Sequence, residues 1–370
     1  MTIYNQAATT GALTVGVMLD MDPMIELLDP YDVALTMLLP SSPCHAIKVE
    51  WMDDVLNLPF VTTAATATTA EAVLTVATGT QGRLKTGDVL VNQSTGVEYI
   101  YVTGYGTTAD TLLITRGYAS STAQTIGNGQ TFEAIGQAGA EGQDPADPRF
   151  VDRVGRSNFT QIIQEAVKVT GTERAVSKYG VADEWDYQIA KKYKEVAIVW
   201  NKTLMYGVPL NTTTASAPKR LAAGFKNFIS TNVDTTTTTL TEAALLTQIQ
   251  ACFDAGGSPD TLVMGSKNKK LMSGFTTGGT IQVVRDDGQR GTMVETFMSD
   301  FGPVRAVLDR WCKTADLFIF ARDQAVQRVL RPTFFEMLAK TGDSFKGEIV
   351  GERTLQFEMQ RHAARFSALT

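Results

Sequence analysis

The two histidines, His45 and His362, are the first residues to examine for chemistry, because imidazole serves both catalysis and metal binding. They lie far apart in the sequence. Two distant histidines are too few to suggest a Ser-His-Asp triad or a histidine-based zinc site. The chain also contains no GxSxG, HExxH, DxDxDG or GxxxxGK[ST] motif. We therefore predict no catalytic residue, no metal ligand and no cofactor-binding residue.

The remaining charged motifs are better explained as turns or loops. The stretch GSKNKK at 265–270 lacks the first glycine and the spacing of a phosphate-binding loop. Asp286 and Asp287 are adjacent carboxylates, yet they lie between Arg285 and Arg290 in a glycine-rich stretch. This setting is typical of an exposed loop rather than of an acid–base pair. The chemistry-bearing residues thus indicate a protein that is not an enzyme.

Composition narrows the class of protein further. The chain has 370 residues, is 44% hydrophobic and carries a formal net charge of −6. Such a chain can bury a sizeable core in two or three domains, and it lacks the basic surplus of a dedicated nucleic-acid binder. Its three cysteines are widely spaced, which predicts reduced, buried thiols. No apolar run is long enough to cross a membrane.

One stretch, residues 183–207, predicts a long amphipathic helix. Its apolar residues recur at steps of four, four, three, four and four, which places them on one stripe of a helix: Trp185, Ile189, Tyr193, Val196, Trp200 and Leu204. Asp183 is a good N-cap, and Gly207 suits the position after the last helical residue. On its own this stretch fits either a core helix of an α/β domain or a rod on which an extended subunit is built.

The regions on either side of this helix differ in composition. Residues 62 to about 140 are rich in Thr, Ala and Gly, with short β-like runs separated by turn signals. They are either a β-rich lobe of the main domain or an inserted β domain, and the change in composition favours an insert at 72–137. Residues 208–331 alternate helix and strand patterns, with Thr241 or Thr239 and Ser266 as helix N-caps. The last part predicts two strands around the turn 341–343.

The order of the predicted elements and several sequence segments resemble those of the major capsid proteins of tailed phages, which have the Hong Kong 97 capsid fold. The segments are LDPYDVALTMLLP…VEWMDDVL, SNFTQIIQEAVKVTGTERAVSKYG, FGPVRAVLDR and GEIVGERTLQFEMQRHAA. LKTGDVLVNQSTGVEYIYVTGY and TLLITRGYASSTA are similar to the extra β domain that one branch of the family carries in its E-loop. The resemblance covers roughly residues 20 to 370.

The resemblance implies an α+β fold with named parts. They are an N-terminal arm at 1–45, an E-loop and peripheral (P) domain strands at 46–71 and 138–182, an inserted small all-β domain at 72–137, the spine helix of the P-domain at 183–207, an axial (A) domain at 208–331, and β-strands of the P- and A-domains at 332–370. No long charged helical segment precedes the arm, so scaffolding is expected from a separate protein or has already been removed.

The function implied is that of a major capsid protein. Copies of the chain would assemble into pentamers and hexamers that form an icosahedral or prolate shell around packaged double-stranded DNA. The implied partners are other copies, a scaffolding protein, a portal and a decoration protein, with no membrane and no sequence-specific DNA binding. The expected location is the virion, assembled in the host cytoplasm. Within the shell, Arg285, Asp286, Asp287 and Arg290 are candidate residues of an interface between subunits near the capsomer axis.

Two other classes of protein remain open at this stage. The first is a phage or cell-surface binding module that uses the β insert to recognise a ligand. The second is an α/β enzyme built on residues 208–331. The size of the purified particle separates these alternatives from a capsid protein, because only the capsid protein should sediment as a large shell.

Overall fold

The computed structural model divides the chain into two units. The described residues are 31–54, 56–93, 96–139, 141–142, 144, 153–176, 183–212, 218–275 and 296–370. The first unit comprises the described residues of Met1–Trp51 and Arg156–Thr370, and the second those of Met52–Gly155. Each unit has its own buried apolar core.

Helices and strands alternate through the described residues. The α-helices there are α1 (Ala34–Leu38), α2 (Gly171–Ala175), α3 (Glu184–Tyr206), α4 (Phe225–Phe228), α5 (Glu242–Asp254) and α6 (Ser266–Ser273). The strands there are β1 (Ser41–Pro43), β2 (Lys48–Asp53), β3 (Phe60–Thr62), β4 (Val73–Thr75), β5 (Asp88–Asn92), β6 (Tyr99–Tyr105), β7 (Thr111–Tyr118), β8 (Thr131–Gln137), β9 (Val154–Phe159), β10 (Gln161–Thr170), β11 (Leu210–Asn211), β12 (Arg220–Leu221), β13 (Asn232–Asp234), β14 (Thr261–Met264), β15 (Thr296–Ser299), β16 (Gly302–Leu308), β17 (Leu317–Phe320), β18 (Ala325–Leu338), β19 (Ser344–Phe357) and β20 (Ala364–Phe366). The predicted α+β class is confirmed for the described residues.

A mixed six-stranded sheet organises the C-terminal half of the first unit. Its strand order is β13-β20-β17-β14-β16-β15, with β14 parallel to β16 and antiparallel to β17. All residues of β14 and β17 are buried, so these strands read as continuous apolar runs in the sequence. One face packs on α5, whose Leu245 and Ile249 share a core with Leu262 and Met264 of β14.

Helix starts in this region follow side-chain capping in one case and backbone packing in another. The Thr241 hydroxyl accepts a hydrogen bond from Ala244 N at 3.3 Å, as predicted for the start of α5. For α6 the predicted N-cap, Ser266, is wrong, because Gly265 occupies that position. A Cβ atom on residue 265 would lie 2.7 Å from the Cys312 carbonyl oxygen. Close backbone packing, rather than a capping side chain, therefore sets this helix start.

A second sheet carries the long helix. Its order is β1-β18-β19-β10, and β18 and β19 form an antiparallel ribbon of 14 residues in each strand. The predicted pair of strands around 341–343 is confirmed. Phe225 of α4 stacks on Phe320 at 4.6 Å between ring centroids and meets Phe357 edge-on at 5.1 Å. This aromatic cluster joins the ribbon, the six-stranded sheet and α3 in one core.

The second unit is an antiparallel β-sheet of six strands in the order β3-β8-β5-β6-β7-β4. Its boundaries in the chain fall within β2 and within β9, and these two strands pair with each other. The unit is longer than the predicted segment 72–137. Val61 of β3 and Ala67 are buried in its core, because strand pairing, which composition does not reveal, brings them there.

The second unit contains a buried ion pair between Arg116 and Glu98. Arg116 Nε and Nη2 donate to the two carboxylate oxygens of Glu98 at 2.7 and 2.8 Å, and the side chains are 7% and 3% exposed. Gly117 N and Gln124 N also donate to this carboxylate, at 3.1 and 2.9 Å. Burial raises the pKa of Glu98, but these hydrogen bonds outweigh burial and hold the pKa below its ordinary value of 4.5.

We predict that Glu98→Gln destabilises the second unit by about 3 kcal/mol, because Arg116 keeps its buried charge and loses its counter-ion. Calorimetry of the full chain measures this as a lower melting temperature of one transition. The four tryptophans all lie outside residues 52–155. Tryptophan fluorescence therefore identifies the other transition, which should not move.

The same pair sets a pH dependence. Because the folded pKa of Glu98 is depressed, its contribution is fully present above the unfolded value near 4.5 and is lost as pH falls through the lower folded value. The melting temperature of the second unit should therefore fall below pH 4.5 by more in the unsubstituted chain than in Glu98→Gln. Equal shifts in the two proteins would contradict the assignment.

Candidate assembly site

The long helix α3 begins and ends close to the predicted residues. Asp183 Oδ1 accepts a hydrogen bond from Trp185 N at 2.9 Å, as expected of an N-cap. The helix ends at Tyr206, but Gly207 does not adopt the left-handed conformation expected of a terminating glycine, since its φ is −56°. A Cβ atom at Gly207 would lie 2.2 Å from the Ala222 carbonyl oxygen. The glycine is needed there for close packing of backbone on backbone.

The structure places the six stripe residues in three environments. Trp185, Val196, Trp200 and Leu204 are buried, Ile189 is half-buried, and Tyr193 is 36% exposed. Helical periodicity alone would have placed Tyr193 in the core with its neighbours on the stripe. Tyr193 instead lines an open cavity beside the helix, which Ala197 and Gly351 also line. The stripe is therefore interrupted in the middle of the helix.

The two ends of the stripe pack in different cores. Trp185 meets Phe335 and Phe345 edge-on, with ring centroids 5.9 and 6.3 Å away. These two residues belong to β18 and β19. Trp200, which is 2% exposed, lies in the large aromatic core together with Leu204. Helix α3 thus spans from the distal part of the β18/β19 ribbon to the centre of the first unit.

A polar clamp, defined here as Trp200, Asn201, Asp309 and Gln327, fastens α1 to α3. Trp200 Nε1 donates to Gln327 Oε1 at 2.7 Å, and Gln327 Nε2 donates to the carbonyl oxygens of Thr36 and Leu39 at 2.8 and 3.1 Å. The carbonyl groups at the end of α1 are therefore satisfied by a side chain from β18.

The other half of the clamp satisfies the start of α1. Asn201 Oδ1 accepts from Thr36 N and Thr36 Oγ1, both at 3.0 Å, and Asn201 Nδ2 donates to Asp309 Oδ2 at 2.7 Å. The same Asp309 oxygen accepts from Leu35 N at 3.3 Å. Asn201 and Asp309 are fully buried. A buried amide and carboxylate with all these partners hold α1 in one position.

A second buried carboxylate, Glu352 of β19, joins three elements. It accepts hydrogen bonds from Thr160 Oγ1 at 2.7 Å, Arg220 Nη2 at 3.1 Å and Arg331 Nε at 3.1 Å. Neither the clamp nor this cluster was predicted from the sequence. The only available signal was a polar residue, Asn201, beside two apolar stripe positions, and periodicity alone does not name its partners.

The side chains described in the structure do not assemble a reactive centre. Within the described residues no group of three or more His, Cys, Asp or Glu side chains could hold a metal ion. Burial raises the pKa of the thiols of Cys252 and Cys312 to about 12, which keeps them protonated. Cys44 is half-buried, so the prediction of three buried thiols is wrong for this residue.

Several large apolar side chains face solvent in the first unit. Met37 of α1 is 74% exposed, and Met337 of β18 is 60% exposed. Phe334 and Leu338, on the same strand near the end of the ribbon, are also exposed. Apolar groups grouped at one end of a long ribbon are typical of a surface that contacts another molecule.

Two further expectations concern surfaces. The candidate interface residues Arg285, Asp286, Asp287 and Arg290 lie outside the described residues, so their role stays a prediction. None of the described helices combines the length and the apolar character that a membrane crossing requires.

Comparison with solved structures defines the class of protein. A structure from Microbacterium phage Oxtober96 covers 97% of this chain and 98% of its own, with 12% identity and a TM-score of 0.51. The capsid of Myoviridae phage XM1 covers 96% of this chain and 100% of its own, with 9% identity and a TM-score of 0.52. At such identities the likeness concerns the fold alone. The fold is that of phage capsid proteins, the Hong Kong 97 fold, as the sequence resemblance implied.

Sequence comparison identifies the family. The chain is 25% identical over 290 residues to the major capsid protein of Escherichia phage Phieco32, covering 63% of this chain and 82% of the relative. The pattern of the SU10 major capsid protein family matches residues 2–370. The chain belongs to this family. It is a phage major capsid protein, a structural component of the virion and not an enzyme.

We predict that Trp200→Ala destabilises the first unit by about 3–5 kcal/mol, because it leaves a cavity in the aromatic core. The substitution also leaves Gln327 Oε1 without its indole donor. Urea unfolding followed by the remaining tryptophans measures the loss. Tyr193→Ala, on the same helix but exposed, is the matched control and should cost less than about 1 kcal/mol. Equal losses in the two variants would show that Trp200 is not the buried anchor.

Proposed function

We propose that copies of this chain assemble into pentamers and hexamers that form a closed shell around packaged double-stranded DNA. The exposed apolar end of the β18/β19 ribbon supports this proposal most directly. Met337 and its neighbours remain in solvent in a single subunit, and burying them against another copy would contribute about 25 cal/mol per Å² of apolar area. The family membership supplies the kind of partner, which is a further copy.

The charge of the chain fits the proposed contents of the shell. The net charge is −6, with 39 acidic and 33 basic residues. Because binding to DNA depends mainly on neutralising phosphates with Lys and Arg, a mildly acidic wall holds DNA weakly and without sequence preference. Packaged DNA can then slide along the wall during filling and emptying. Scaffolding, portal and decoration proteins, and assembly in the host cytoplasm, belong to the same proposal.

The parts of the chain take their proposed roles from this assembly. Helix α3 is the spine of the P-domain, residues 208–331 form the A-domain, and the second unit is a small all-β domain carried in the E-loop. The ribbon, α1 and residues 285–290 are the proposed contact regions between subunits. The clamp around Asn201 supports this division, since it fastens the N-terminal segment to the spine.

Purified chain, with a scaffolding protein where one is encoded, should sediment as large shells and appear as closed particles in negative-stain microscopy. A small soluble oligomer under all conditions would contradict the proposed function. Such a result would favour a binding module instead.

Replacing residues 56–152 with a short Gly/Ser linker should leave a subunit that still folds and forms capsomers. The linker can be short because β2 and β9, which flank the removed part, pair with each other. The urea midpoint from tryptophan fluorescence should stay close to that of the full chain, since all four tryptophans remain. Shells of this variant are expected to dissociate more readily. An insoluble variant would show that the first unit depends on the second.

A further inference from the structure

A cavity of about 250 Å³ opens beside the middle of α3, between that helix, α1 and the sheet. Its walls are largely apolar and aromatic, and they include Tyr193, Val196 and Trp200 of α3. Ala197 of α3 and Gly351 of β19 both line the cavity. A Cβ atom at Gly351 would lie 2.7 Å from Thr333 Oγ1.

Two cations reach this cavity, and the described residues that line it include no carboxylate. Arg353 is half-buried, and the one polar contact of its guanidinium among the described residues is with Thr333 Oγ1, at 2.7 Å from Nη2. Burial lowers the pKa of Arg353, which shows that its surroundings disfavour the charged form. The second cation, Lys194, has Nζ 5.8 Å from the centre of the Tyr31 ring.

The same sheet shows how a buried charge is normally compensated. Glu352 is the neighbour of Arg353 in the sequence. Its carboxylate forms ion pairs with Arg220 and with Arg331, each at 3.1 Å. A half-buried guanidinium to which the described residues offer no counter-ion is costly unless another carboxylate reaches it, and a carboxylate placed beside it would gain a strong charge-assisted hydrogen bond. The cavity therefore has the features of a binding site rather than of a packing defect.

We propose that this cavity binds the carboxylate side chain of an Asp or Glu residue from a second copy of the chain. The inference rests on the proposed assembly of the chain into shells and adds a specific contact to it. Charge complementarity supports a second copy as the source, because the chain has 39 acidic residues against 33 basic ones and so carries a surplus of carboxylates. Arg353 would hold the carboxylate, and the rings of Tyr193 and Trp200 would exclude water from the pair.

Arg353→Met tests this proposal against a purely structural role. It removes the charge and keeps most of the bulk of the side chain. If the charge serves binding, the urea midpoint of the unassembled subunit is unchanged or higher, and the fraction of chain in shells falls at least about tenfold. The contrasting variant is Arg220→Met, which breaks the ion pair with Glu352 and should lower the urea midpoint of the subunit.

Two results would overturn the proposal. One is that Arg353→Met forms shells as well as the unsubstituted chain does. The other is that it lowers the urea midpoint as Arg220→Met does. Failure of the unsubstituted chain to form shells would instead count against the proposed function itself, so the two failures are distinguishable.

Cross-linking identifies the source of the carboxylate. Shells are assembled from an equal mixture of ¹⁴N and ¹⁵N chains that carry Arg353→Lys, and are treated with a water-soluble carbodiimide, which joins an amine to a carboxylate in direct contact. Cross-linked peptides from residue 353 to an Asp or Glu that pair one light and one heavy chain are expected. The unsubstituted chain, treated in the same way, controls for Lys194. Cross-links only within one chain, for example to the acidic residues of 20–29, would overturn the second copy as the source.

Discussion

The first unit depends on the burial of two adjacent residues of α3, one apolar and one polar. Trp200 fills the aromatic core, and Asn201 is fully buried beside it. A buried amide costs free energy unless its hydrogen bonds are satisfied. Asn201 meets this requirement through Thr36 and Asp309, and Trp200 through Gln327. Apolar packing thus supplies most of the stabilisation, while the polar partners determine where α1 and the start of β18 must lie.

Buried carboxylates play a similar part at other places in the molecule. Glu352 joins β19 to Thr160 and to two arginines, and Glu98 pairs with Arg116 inside the second unit. Each is compensated by several donors, as the cost of burying a charge requires. Because removing one partner leaves the other charged and buried, such groups make the arrangement of strands specific.

Exposed apolar side chains and a charge without a described counter-ion, both unfavourable in one subunit, are informative about assembly. Met37 and Met337 expose apolar area, and Arg353 carries a charge without a described counter-ion. Residues kept in such unfavourable settings reduce the stability of the free subunit. In an assembling protein they become favourable when another copy covers them. These positions are where the proposed contacts between copies of this phage major capsid protein would be made.

The sequence by itself determined the elements that depend on local spacing. Periodicity located α3 to within a residue at its start and end, and Thr241 marked the start of α5. Apolar runs located β14 and β17, and alternation around the turn at 341–343 predicted the pair β18 and β19. Short sequence segments dispersed along the chain were enough to indicate the capsid family. These signals are local, so neighbouring residues in the chain carry them.

Only the tertiary structure decided which residues meet across long sequence separations. Asn201 and Asp309 are 108 positions apart, and Thr36 and Gln327 are 291 apart. It also decided that Tyr193 lines a cavity and that Val61 belongs to the core of the second unit. Helical periodicity specifies a direction around a helix axis. What lies in that direction depends on how distant segments pack, and no local pattern records that.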